Sequence, residues 1–179
     1  MWAACCTALF GSLRAGECTT ESASFDSARH LALDDVQVDR STNPSVVYIN
    51  IKVSKTELFR KGYLLRIGAT HSHVCAVKAL MNYLHLRGQT PEPLFTHENG
   101  LPLTRCFLTT WLRDAVVRLG IESNYSGRSL RIGAATTAAV VGIPDHLIKT
   151  LGRWLSDAYQ TYIQTPSEVL DKVAARLVS

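Results

Sequence analysis

The segment that most restricts the fold runs from Val46 to Gly68. Val46-Val47-Tyr48-Ile49-Asn50-Ile51-Lys52-Val53 is rich in β-branched and aromatic residues, and a polar stretch from Ser54 to Gly62 follows. Tyr63-Leu64-Leu65-Arg66-Ile67-Gly68 then reads as a return strand, so a β-hairpin is expected here. Around it the apolar period is helical. Val74, Val77, Leu80, Met81 and Leu84 form an inward-facing stripe within 74–87, and Thr104 to Leu119 is a second amphipathic helix. Leu94-Phe95 reads as a loop pinned by one aromatic side chain. Ile143-Pro144-Asp145, after Gly142, breaks the chain and caps a short helix from His146 to about Leu151. Thr165-Pro166-Ser167-Glu168 is a capping box with proline at the first helical position, which predicts a helix from Pro166 to about Leu177. The apolar start, Met1 to Phe10, lacks the positive flank of a secretory signal and reads as a buried first helix. The expected fold is mixed α+β and mostly helical, with one small antiparallel β-sheet in a single domain over 1–179. A hydrophobic content of 46% is sufficient for one real core. No run is long enough to cross a membrane.

Charge is spread unevenly along the chain. Residues 51–131 hold 12 basic and 5 acidic side chains, an excess of +7, whereas residues 1–50 sum to −3 and residues 132–179 to zero. A polyanion backbone would lie along the segment with the excess. Within it, Arg128 and Arg131 are three apart; if Ser126 or Ser129 caps a helix running to about Val141, the two project from one face. Such a pair is either a solvated basic face or a phosphate clamp, because fixed guanidinium donors stabilise charge developing on a phosphodiester. The five cysteines, Cys5, Cys6, Cys18, Cys75 and Cys106, are odd in number and contain no Cys-x-x-Cys pair. They read as reduced thiols of an intracellular protein. His71 and His73 lack further ligands at useful spacing, so a surface loop is expected there and no metal site.

Three motifs occur in order: Arg128-Ser129-Leu130-Arg131, then Leu151-Gly152-Arg153-Trp154, then Tyr162. Together they resemble the catalytic segment of tyrosine recombinases and phage integrases, which carry a His-x-x-Arg box at a helix start, a Gly-His or Gly-Trp pair, and then a tyrosine. The Gly-Arg-Trp wording, with Ala158-Tyr159 and Tyr162-Ile163 after it, is most similar to the recombinases of DIRS-like and Crypton-like mobile elements. The resemblance covers nearly the whole chain as a catalytic domain and implies that the N-terminal DNA-clamping domain of such enzymes is absent. It makes Tyr162 the nucleophile, and it places Arg128 at the usual histidine position, where an arginine supplies charge but no proton transfer near neutral pH. Nine residues back from Tyr162 is Arg153 and eight back is Trp154, so both are candidates for the second phosphate donor. Tyr159 reads as a half-buried helix tyrosine. Upstream, Phe10-Gly11-Ser12-Leu13-Arg14-Ala15-Gly16-Glu17 resembles the family's first arginine segment, with Arg14 on the phosphate and Glu17 orienting it. Ser54-Lys55-Thr56 resembles the site of the hairpin lysine, making Lys55 the general acid, while Lys52 and Lys61 read as DNA-backbone contacts or solvated charges.

What the resemblance implies is site-specific recombination or integration, by DNA strand cleavage and rejoining through a 3′-phosphotyrosine intermediate. No metal, nucleotide or small-molecule cofactor is implied. The partner would be double-stranded DNA, with a homo-oligomer, a tetramer on DNA, as the working form and the nucleus as its place. Val169, Leu170, Val173 and Leu177 would pack either on a neighbouring subunit or on their own core. The alternative is a catalytically impaired or domesticated DNA-binding remnant of a mobile-element recombinase, motivated by Arg128 and by the short front end.

Overall fold

The structure is a computed structural model that describes residues 1–39, 43–52, 62–70, 72–88, 93–121 and 124–165. Lys55, Lys61, His71 and the helix expected from Pro166 lie outside the described residues.

The hairpin is present. Strands β2 (Val46–Ile51) and β3 (Tyr63–Gly68) pair antiparallel, with Val47 opposite Ile67 and Ile49 opposite Leu65. Because side chains alternate, Val47, Ile49, Ile51, Leu65 and Ile67 all fall on the buried face. A third strand, β1 (Val36–Val38), pairs with the other edge of β2, giving the order β1-β2-β3. Lys52, at the end of β2, binds Asp35 at 2.6 Å and the Ser27 carbonyl at 2.7 Å. It is therefore held by the protein and is not a plain solvated charge.

Helix α1 (Trp2–Phe10) packs on α3 (Ala76–Arg87) and on α5 (Ser129–Val140). Its buried residues are Ala3, Ala4, Cys5, Cys6, Thr7 and Ala8, small enough for neighbouring backbones to come close. The main core joins α1, the inner sheet face and α3 with Leu13, Leu94, Phe95 and Leu108. Burying a side chain such as Leu13 stabilises the fold by about 2 kcal/mol. Helix α2 (Ala15–Cys18) is a single turn, and α4 (Arg105–Arg118), capped by Thr104 Oγ1 accepting from the Phe107 N–H, has only Leu108 fully buried. Helix α6 (Asp145–Gly152) follows the Gly142 break and starts one residue before the expected position. A 3-10 helix spans Asp157–Tyr162. A second, smaller cluster unites Ala135 and Ala138 of α5 with Ile148, Trp154 and Tyr159. Among the described residues, no helix is long and apolar enough to cross a membrane.

Candidate functional site

The site forms where the two apolar clusters meet. Past α1 the chain turns sharply through Gly11 and Ser12. A Cβ on Gly11 would lie 2.7 Å from Leu65 Cδ2 and 2.8 Å from the Thr7 carbonyl, so only glycine fits. Ser12 takes a left-handed φ of 46°. This turn aims the Gly11 and Ser12 carbonyls inward, and Arg14, two residues on, caps α2.

Glu17, on α2, is the hub. Its carboxylate accepts the Arg14 main-chain N–H at 2.8 Å and lies 3.2 Å from Arg14 Nη1. Arg153 Nη2 lies 2.9 Å from Glu17 Oε2, and Arg131 Nη1 lies 3.9 Å from the same oxygen. Three guanidinium groups from three distant segments thus share one carboxylate. Arg14 is 21% exposed, whereas Arg131 is fully buried.

Arg131 bridges the two clusters. Its Nη1 donates to the Ser12 carbonyl at 3.1 Å and its Nη2 donates to the Gly152 carbonyl, one of the last carbonyls of α6. Its guanidinium carbon stands 4.4 Å from the centre of the Trp154 ring system. Burial, followed by repulsion from Arg14 and Arg153, pulls its pKa down to about 10, with Glu17 and Tyr162 acting the other way. That value still leaves it cationic at neutral pH.

The loop after α6 places Arg153 and Trp154 in different roles. Arg153 is the C-cap residue, with a left-handed φ of 54°, and its side chain turns back to Gly11, Ser12 and Glu17. Trp154 instead covers the Arg131 guanidinium. Gly152 makes this stacking possible, because a Cβ there would fall inside the Trp154 ring. The ring centres of Trp154 and Tyr162 are 5.5 Å apart, and those of Trp154 and Tyr159 are 6.0 Å apart. Tyr162 is partly exposed and anchored through its own carbonyl, which accepts from Thr136 Oγ1 at 3.2 Å. Tyr159 is only 3% exposed and sits in a 3-10 helix, so it is more deeply buried than the sequence suggested.

Of the sequence-derived residues, the structure gathers Arg14, Glu17, Arg131, Arg153, Trp154 and Tyr162. Arg128 is not among them. It caps α5 with an exposed side chain, while Arg131 faces inward, so the two do not share one face. The serines form a local lock instead, Ser129 Oγ accepting from the Ser126 N–H at 2.8 Å. The sequence reading missed the Gly11–Ser12 carbonyls and Tyr63, whose ring lies 5.5 Å from the Arg153 guanidinium carbon. The Gly-Ser pair two residues before Arg14 carried a signal in its composition; Tyr63 carried none.

No family model and no curated protein matches the chain. Among solved structures it is similar to XerA recombinase, with a TM-score of 0.68 and 21% identity over 95% of this chain and 54% of that one. It is similar to XerH site-specific recombinase bound to palindromic difH substrate in a post-cleavage complex, with a TM-score of 0.69 and 17% identity over 99% of this chain and 45% of that one. It is also similar to the Tn1549 transposon integrase in complex with circular intermediate DNA, with a TM-score of 0.54 and 13% identity over 98% and 56%. The chain therefore spans about half the length of the solved structures it matches. At these identities the likeness establishes architecture, and it agrees with the mixed, mostly helical fold expected from the sequence: the chain has the fold of a tyrosine-recombinase catalytic domain.

Proposed function

We propose that this domain binds double-stranded DNA and cleaves and rejoins it through Tyr162. One observation carries the reading: Arg14, Arg131 and Arg153 converge on Glu17 while Trp154 stacks on Arg131 and Tyr162 packs against Trp154. Three guanidinium groups and one carboxylate sum to a net charge of +2. A phosphodiester carries one negative charge and an attacking tyrosinate brings a second, so the pentacovalent transition state is a dianion that this charge complements. Trp154 Nε1 is buried with no hydrogen-bond partner among the described residues, a donor suited to a non-bridging phosphate oxygen.

In this mechanism the Tyr162 oxygen bonds to phosphorus as the bond to the 5′ oxygen breaks. The tyrosine proton leaves to solvent, and Lys55 supplies a proton to the departing 5′ oxygen; the lysine role rests on the motif, since Lys55 lies outside the described residues. The products are a 3′-phosphotyrosine link and a free 5′ hydroxyl, and reversal by another 5′ hydroxyl rejoins the strand. Arg128 stands at the motif's histidine position with an exposed side chain at the α5 start, where it offers DNA positive charge but no proton transfer. The likeness of its motifs to DIRS-like and Crypton-like elements supports a mobile-element origin, nuclear work and assembly on DNA as an oligomer. A second reading, a binder that no longer cuts, draws on the burial of Arg131, whose Nη donors both rest on carbonyls.

A duplex with a nick beside the cleavage position tests the assignment, because loss of the short 5′ fragment traps the enzyme covalently. We expect an adduct that disappears in Tyr162→Phe and increases in Arg128→His. An undiminished adduct from Tyr162→Phe refutes the nucleophile; salt-sensitive binding with no adduct supports the non-cutting reading.

A further inference from the structure

We propose that Arg153 is a positioning residue that grips the protein, not a phosphate ligand, and that it acts on DNA cleavage through Glu17 and Arg14. The inference rests on the DNA-cleaving reading above. It separates Arg153 from Trp154, which the motif alone leaves joined.

Both terminal nitrogens of Arg153 are occupied by protein acceptors. Nη1 donates to the Gly11 carbonyl at 3.0 Å, and Nη2 donates to Glu17 Oε2 at 2.9 Å and to the Ser12 carbonyl at 3.3 Å. Tyr63 from β3 closes one face of the guanidinium, a cation–π contact. The side chain thus ties the end of α6 to the turn after α1, to α2 and to the sheet. Arg14 sits on the other oxygen of the same carboxylate, so fixing Oε2 also fixes the direction in which Arg14 is held.

The backbone points the same way. Ser12 and Arg153 are the only non-glycine residues at positive φ among the described residues, and they are hydrogen-bonded to each other. Glycine or asparagine is the easier occupant of a left-handed helix cap. An arginine there is held against its backbone preference by what its side chain touches, and strain of this kind gathers at functional sites. Trp154, one residue on, differs in its contacts: its ring is packed and its single side-chain N–H has no protein acceptor among the described residues, whereas Arg153 leaves only Nε without one and commits both Nη atoms to the protein.

The test uses Arg153→Gly, which relieves the left-handed backbone, with Arg153→Asn as a second variant should the first not fold. A residue that neutralises a DNA phosphate lowers the slope of log affinity against log salt by about one when removed. Fluorescence anisotropy with a duplex over a potassium chloride series should show that drop for Arg14→Ala and an unchanged slope for Arg153→Gly. Adduct formation on the nicked duplex should fall about tenfold or more in Arg153→Gly, and Glu17→Gln should cost little further in that background, because contacting residues couple. A slope drop in Arg153→Gly matching that of Arg14→Ala, or independent effects of Arg153 and Glu17, overturns the proposal. If the wild-type chain binds but forms no adduct, the cleavage reading fails, while the slope and the coupling read from affinity still decide the role of Arg153. Absence of any salt-dependent binding removes both.

Discussion

Arg131→Met is the most informative single perturbation of stability, because the opposing contributions can be sized from the structure. The change removes the Arg131 donor of the buried Gly152 carbonyl, at about 2 kcal/mol, and one of two donors to the Ser12 carbonyl, which keeps Arg153, at about 1 kcal/mol. It also removes the guanidinium contact with Trp154, worth about 1 kcal/mol. Against this, the pKa of Arg131, lowered from 12.5 to about 10, means that holding the charge in place opposes folding. The depression converts to roughly 3 kcal/mol that methionine would relieve. The balance is a net loss of about 1 kcal/mol, or about 3 °C in Tm for a domain of this size. Urea unfolding followed by far-UV circular dichroism measures it, with exposed Arg128→Met as a control expected to stay within about 0.5 kcal/mol. The reasoning is refuted if Arg131→Met equals or exceeds the wild type in stability, the result expected of a buried charge whose hydrogen bonds contribute little.

Gly152→Ala would drive a methyl group into the Trp154 ring, and the displaced indole should cost about 1–3 kcal/mol in unfolding experiments along with most of the adduct yield. Trp154→Phe keeps a ring over Arg131 but deletes a buried donor that has no partner among the described residues, so stability should hold while cleavage falls about 10²-fold in single-turnover assays; an unchanged rate would rule the indole out as a phosphate donor. Burial, and for Cys18 the Glu17 charge next, lift the thiols of Cys5 to about 11 and Cys18 to about 12 from 9.0. Both remain protonated in either state below pH 9; above it the unfolded chain ionises first, so their stabilising contribution is lost as pH rises through 11 to 12. Cys18→Ala should flatten the decline of urea stability between pH 9 and 11, and an identical decline would contradict the assignment.

Much of the architecture was readable from alternation and punctuation. The hairpin strands, the buried first helix and the break at Gly142 follow from patterns longer than one turn or from strong breakers. Strand β1 did not stand out, because Val36-Gln37-Val38 is too short to establish a period and becomes a strand only by pairing with β2. Of the candidate site, the sequence named the gathered residues Arg14, Glu17, Arg131, Arg153, Trp154 and Tyr162 but not their arrangement. Spacing suggested that Arg128 and Arg131 would share a face, but a capping residue lies outside the helical periodicity, so Arg128 turns to solvent while Arg131 goes inward. Spacing likewise could not divide Arg153 from Trp154. That division is made at a left-handed backbone turn, where the Arg153 side chain returns to the Gly11–Ser12 turn and that of Trp154 stacks on Arg131. Lys52 shows the same limit, since its partner Asp35 is distant in sequence and nothing local announces the pair.

The bonds from Arg131 and Arg153 to the Gly11–Ser12 turn span sequence separations of 119 to 142 residues. A nascent or misfolded chain therefore carries the tyrosine without its charged surroundings, since the first and last thirds must meet before either is useful. The cutting power proposed for this domain would emerge only with the finished fold.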